Sequence, residues 1–142
     1  MIMIPQDITP DQLNKYLKGT HDEQVGLEFT KVESGYLEAT IPVDHRTKQP
    51  FGILHGGVTA ALAESLGSVG SQMLIDGEKH QAVGTEITCN HLRSVTGGTV
   101  TGKAKIKHQG KTIHLWDIDV FNDKDRLIAV AKLVVMVIPK RK

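Results

Sequence analysis

The chain has 142 residues, 39% hydrophobic and 23% charged, with a formal net charge of +1. This is the composition of an ordinary globular protein long enough to bury a real core. Near-neutral charge gives no electrostatic case for binding nucleic acid or a bulk membrane surface. The single cysteine, Cys89, excludes an intramolecular disulfide and a cysteine metal cluster, so a reducing, cytoplasmic setting is expected. The start, Met-Ile-Met-Ile-Pro-Gln-Asp, has neither the basic run nor the apolar stretch of a signal peptide. No segment reaches the roughly 18 apolar residues of a membrane span.

In chain order, Thr9-Pro10-Asp11 opens a short helix to about residue 18, with Thr9 as cap and Pro10 at the first helical position. Gly19 ends it. Two extended runs follow within residues 25–43, separated by Ser34-Gly35. In the second, Leu37, Ala39 and Ile41 alternate with Glu38 and Thr40, the period of a half-buried strand. A polar loop over residues 44–52 leads into His55-Gly56-Gly57 and then a helix over 58–75. Four more strands are expected over 81–93, 98–108, 111–122 and 126–138, with hairpin-type turns between them. In the last of these both faces carry apolar residues, interrupted by Lys132, so cover on both sides is expected. Lys103, Lys105 and Lys107 sit at period two and read as a solvated sheet face. One long apolar helix against one antiparallel sheet makes an α+β domain spanning residues 1–142.

The long helix organises the rest. Val58, Leu62, Leu66, Val69 and Met73 recur at three- and four-residue steps. Ala60, Ala63, Gly67 and Gly70 form a second ridge of minimal side chains. Each interior Gly costs about 1 kcal/mol relative to Ala, so something must approach closely there, either a sheet or another copy of the helix. Into this helix falls one ionisable group, Glu64, with Ser68 one turn later. No Lys or Arg occurs between Lys48 and Lys79. A carboxylate with no local cation is costly to bury and is drawn toward the neutral form, which makes it a functional candidate. The alternative is that it faces solvent or pairs with a distant Arg.

The run Asp44-His45-Arg46-Thr47-Lys48-Gln49-Pro50-Phe51-Gly52-Ile53-Leu54-His55-Gly56-Gly57, followed by Leu62-Ala63-Glu64-Ser65-Leu66-Gly67-Ser68, resembles the hotdog-fold acyl-CoA thioesterases. Within them it is similar to the branch holding Glu-dependent 4-hydroxybenzoyl-CoA thioesterase and 1,4-dihydroxy-2-naphthoyl-CoA hydrolase. The likeness covers nearly the whole chain and includes Asn90-His91-Leu92-Arg93. His-Gly-Gly alone is weak. Gln six residues before the His, Glu nine after it and Ser four further on is a more specific set. The phenylacetyl-CoA type would carry Asn and Asp in place of Gln49 and Glu64.

The resemblance implies a hotdog fold, in which a curved antiparallel sheet wraps the long helix, and a division of labour. Glu64 matches the carboxylate that attacks the thioester or activates water. The Gly56 N–H, at the helix start, matches the oxyanion donor. Gln49 matches an orienting amide, His55 a residue near the thioester sulfur, and Ser68 a hydroxyl that positions water or Glu64. His91 and Arg93 resemble positions that meet the CoA moiety. Pocket walls are expected from Phe51, Val58, Leu62, Val83 and partner residues. Gly56 and Glu64 lie about 12 Å apart along one helix, so active sites shared across a homodimer are implied, with a homotetramer as the assembly.

The substrate implied is an aromatic acyl-CoA, with a place in menaquinone biosynthesis as the favoured guess. A proofreading thioesterase for aryl groups on a carrier protein and a non-catalytic acyl-CoA binding module are the alternatives. No cofactor and no metal are expected, CoA being part of the substrate. His-Glu-x-x-His, a P-loop, a dinucleotide fingerprint and a Gly-x-Ser-x-Gly elbow are all missing from the sequence.

Overall fold

The computed structural model describes residues 4–141. The first three residues, part of the stretch read as lacking a leader, lie outside it. The first helix, α1 (Pro10–Lys15), begins with a capping box. Gln12 N–H donates to Thr9 Oγ1 at 3.3 Å, and Thr9 N–H donates to Gln12 Oε1 at 2.9 Å. It stops short of the expected residue 18, and a second short helix not anticipated from sequence, α2 (His21–Gln24), follows with Thr20 as cap. Asn14 ties α1 to the first strand: its amide donates to the Phe29 carbonyl at 3.0 Å and accepts from Phe29 N–H at 2.8 Å.

The strands are β1 (Glu28–Glu33), β2 (Tyr36–Pro42), β3 (His80–His91), β4 (Thr99–Gln109), β5 (Ile113–Phe121) and β6 (Leu127–Pro139). They form one antiparallel sheet in the order β1-β2-β4-β5-β6-β3. Against one face lies the long helix α3 (Gly56–Met73), which gives the hotdog arrangement. Leu62, Ala63 and Leu66 of α3 are fully buried with Leu37, Ile118 and Leu133 of the sheet.

The small-residue ridge turns toward the sheet. A methyl group on Gly70 would stand 2.5 Å from Trp116 Cη2 and 2.8 Å from Leu37 Cδ1, and one on Gly67 would stand 2.6 Å from Leu133 Cδ2. The indole is pinned from its other end, because Trp116 Nε1–H donates to Ser71 Oγ at 2.8 Å. His114 Nδ1 lies 2.9 Å from the same oxygen. His114 and Ser71 are both buried, so this hydrogen-bonded chain satisfies three polar groups inside the core.

Strand β3 forms one edge of the sheet, with β6 its only strand neighbour among the described residues. Its register shifts between Gly84 and Glu86. Gly84 faces α3, so Val83 points the other way, opposite Met136, which in turn pairs with Ile113. These three make an exposed apolar stripe on the sheet's outer surface. Two expected pocket walls are therefore corrected: Val83 lies on the face away from α3, and Leu62 is sealed in the core. On the outer face of β6, Val130 and Val134 are half-buried while Lys132 and Met136 are exposed, so one chain alone does not cover that strand on both sides.

Gly70→Ala is expected to lose stability although it improves helix propensity. Overpacking a fixed indole costs about 1–3 kcal/mol, against a propensity gain of about 1 kcal/mol. Gly97→Ala, where a methyl would meet nothing within 4 Å, should lose none, and parallel urea titrations compare the two. A second expectation concerns pH. Burial holds the His114 imidazole below its ordinary value of 6.5, with His108 acting in the same direction and the Gly110 carbonyl against it. A group that binds its proton less readily when folded contributes stability that is full above its unfolded value and is lost as pH falls through it. Unfolding free energy should therefore drop between pH 7 and 5 by more than in His114→Gln, whose amide can still bond Ser71.

Candidate active site

The loop between β2 and α3 is built on Thr47, a buried residue that the sequence reading passed over. Its hydroxyl donates to the Pro42 carbonyl at 2.7 Å and accepts from Asp44 N–H at 3.1 Å. Arg46 folds back on Asp44, Nη2 to Oδ2 at 2.7 Å. The guanidinium's hydrogen bonds hold the Asp44 carboxyl down to about 2. The chain then makes a small hairpin. Gln49 N–H donates to the Ile53 carbonyl and Gly52 N–H to the Gln49 carbonyl, both at 2.9 Å. Gly52 carries φ +79, the left-handed conformation that closes a three-residue loop of this kind. Phe51 at the tip is 90% exposed. Gln49 Oε1 accepts from Phe51 N–H, which leaves the amide NH₂ of Gln49 as a donor of fixed direction.

His55 is the N-cap of α3. Its Nδ1 accepts from Gly57 N–H at 2.8 Å, and its carbonyl takes the N–H groups of Val58 and Thr59 at 3.0 and 3.3 Å. Of the first helical N–H groups, that of Gly56 alone finds no acceptor among the described residues. It projects from the positive end of the helix dipole. The sequence reading placed His55 by the reacting sulfur; here its Nδ1 is used in holding the helix start, and only the outer Nε2 is free.

His91, at the end of β3, closes over Gly56. A methyl on Gly56 would lie 3.0 Å from His91 Nε2, so any side chain here would press on the ring. Cys89 Sγ stands 3.9 Å from His91 Nδ1, and burial pushes that thiol up. Gln49, Gly56, Thr59, His91, Arg93 and Ile128 line one cavity of about 340 Å³. Strand β3 ends at His91 rather than at the expected residue 93. The Leu92 and Arg93 N–H groups both bond the Ile128 carbonyl, at 2.7 and 3.2 Å, and this turns Arg93 into the cavity wall. Arg126, not singled out from sequence, shares a neighbouring depression with Arg93.

Glu64 and Ser68 are not part of this cavity. They lie two and three turns further along α3, beside β3, where a methyl on Gly84 would stand 2.8 Å from Glu64 Oε1 and 3.4 Å from Ser68 Oγ. Glu64 is exposed in the single chain and has no ion-pair partner among the described residues. Of the two alternatives the sequence leaves open for Glu64, burial or solvent exposure, a single protomer shows exposure. Gln72, the next residue on the same stripe, accepts from Ala82 N–H at 2.9 Å on the sheet edge.

The family model for the thioesterase superfamily matches residues 51–129. The chain belongs to that superfamily. 1,4-Dihydroxy-2-naphthoyl-CoA hydrolase of Escherichia coli is 41% identical over 131 residues, covering 92% of this chain and 96% of that protein. The proofreading thioesterase EntH of Klebsiella pneumoniae is 40% identical over 128 residues, covering 90% and 93%. Among solved structures, a mutant of thioesterase PA1618 from Pseudomonas aeruginosa superposes with a TM-score of 0.92 at 39% identity, covering 94% of this chain and 96% of that one.

A thioesterase needs donors for the oxygen that becomes negative when the carbonyl is attacked. The free Gly56 N–H and the directed Gln49 amide both border the cavity and have that chemistry. The histidine cap gives a measurable consequence. His55→Ala should lower unfolding free energy by about 1 kcal/mol, while His55→Asn, which keeps a side-chain acceptor for the Gly57 N–H, should recover most of it. Matched denaturant titrations check this.

Proposed function

We propose that this thioesterase hydrolyses an aromatic acyl-CoA, of hydroxybenzoyl or 1,4-dihydroxy-2-naphthoyl type, to the free acid and CoA, without a metal. The carrying observation is the separation of two half-sites on one helix. The cavity at the start of α3 offers the free Gly56 N–H, Gln49 and His91, while the uncompensated carboxylate of Glu64 stands eight residues further on. At 1.5 Å per residue that is roughly 12 Å, too far for one thioester carbon to meet both. Two protomers arranged with their helices antiparallel would bring Glu64 of one to the cavity of the other. The unpaired edge of the long strand β3 and the bare Phe51 at the loop tip support such a homodimer. The outer stripe of Val83, Met136 and Ile113 supports a further pairing into a tetramer.

In that site the thioester oxygen would sit at the Gly56 N–H, with the Gln49 amide orienting the carbonyl. Glu64 would act as nucleophile or general base, with Ser68 beside it on the water side. His91 and Arg93 would lie along the CoA arm, where a guanidinium suits a phosphate. A second reading, release of misloaded aryl groups from a carrier protein, is favoured by the 40% identity to EntH. Both substrates present the same phosphopantetheine thioester to these residues.

Thiol release from benzoyl-, hydroxybenzoyl-, hydroxynaphthoyl-, phenylacetyl- and straight-chain acyl-CoA tests the reading, with aryl carrier-protein thioesters alongside. Aryl-CoA turnover is expected in the wild type, with a loss of about 10³-fold or more in Glu64→Ala. Binding without thiol release would sink the enzymatic assignment. Co-expressing Gln49→Ala with Glu64→Ala should restore part of the activity, since each mixed dimer holds one intact composite site. No recovery in verified mixed dimers would count against sharing.

A further inference from the structure

We propose that Gly84 of β3 is a positioning residue for the Glu64 carboxylate; this rests on the catalytic reading of Glu64 and deepens it. Gly84 lies inside a strand, where glycine weakens pairing and packs nothing, so its presence calls for a reason. Backbone conformation does not supply one. Gly84 is not among the residues with positive φ, so any L residue can adopt its backbone. The register shift between Gly84 and Glu86 supplies none either, because a bulge that needs glycine needs it in the left-handed region.

The reason is what stands in front of it. A methyl at this position would lie 2.8 Å from Glu64 Oε1, 3.5 Å from Glu64 Cδ and 3.4 Å from Ser68 Oγ. Those nearest atoms all belong to the two α3 side chains assigned to the chemistry, and none is backbone or core. The missing side chain thus leaves a flat floor on which the carboxylate rests against the sheet edge, with Ser68 at its flank. Adding one carbon would leave the strand and the core as they are and push the carboxylate off its seat. The position acts on the reaction through Glu64 and touches no substrate atom.

The test is a double-mutant cycle on aryl-CoA hydrolysis in the full chain, with thermal unfolding and molecular mass recorded for every variant. Gly84→Ala is expected to lower kcat about 100-fold, the scale of an ångström-level misplacement of a catalytic group. KM should stay within about threefold, because the cavity at Gly56 is untouched. In a Glu64→Asp background, whose carboxylate is one methylene shorter and clears the methyl, the same change should cost under about threefold. An equal penalty in both backgrounds, or an unchanged kcat in Gly84→Ala, overturns the proposal. So does a lost kcat that tracks a lowered unfolding temperature or a changed mass. Failure of the underlying reading is seen separately, as wild-type kcat in Glu64→Gln.

Discussion

Everything in this fold depends on how closely α3 can lie on the sheet. At Gly67 and Gly70 the helix has no side chain, and the indole of Trp116 with the methyl groups of Leu37 and Leu133 fills the space to within van der Waals contact. The indole cannot yield, because its N–H is held by Ser71 from the same helix. Helix and sheet are locked at one distance and one rotation. Two glycines in a helix interior cost about 2 kcal/mol in propensity; a buried aromatic contributes more than that.

The locked rotation decides what the helix presents at its start and along its flank. With Leu62, Ala63 and Leu66 turned inward, the Glu64–Ser68–Gln72 stripe falls beside the sheet edge, where Gly84 and Ala82 meet it. At the helix start, Gly56 comes under the ring of His91. The loop hairpin is fastened separately, through Thr47 to β2 and through the Leu54 N–H to the Val95 carbonyl at 2.8 Å. The Gln49 amide is therefore positioned by turn geometry, while Gly56 is positioned by core packing. Two independent constraints converge on one cavity.

Much of this was legible in the residues. The helical period located the long helix to within two residues, and turn punctuation located the last four strands to within about two. The Gln49, His55, Glu64, Ser68 spacing carried the family. The small ridge announced a close contact but not with what, since a sheet and a second helix demand the same small side chains. Faces were harder. Leu62 reads as a pocket wall until the helix rotation is known, and Val83 until the register shift after Gly84 is known. For Glu64 the sequence leaves burial and solvent exposure both open, because exposure depends on the sheet edge ending beside it. His114 left no pattern, because its side-chain partner is a serine 43 positions away. Gly84 does leave one, an isolated glycine in a strand.

The strand order carries a consequence for how the chain reaches this state. Among the described residues strand β3, which faces the carboxylate, pairs only with β6, and its Ala82 is matched with Val137. During synthesis β3 leaves the ribosome well before its one partner exists, while β4 and β5 must first be laid down to place that partner. Such long-range pairing is the slow kind, and a strand waiting without a neighbour is open to the wrong one. The sheet edge beside Glu64 is thus completed late, and a nascent chain stays open to misassociation there until β6 docks.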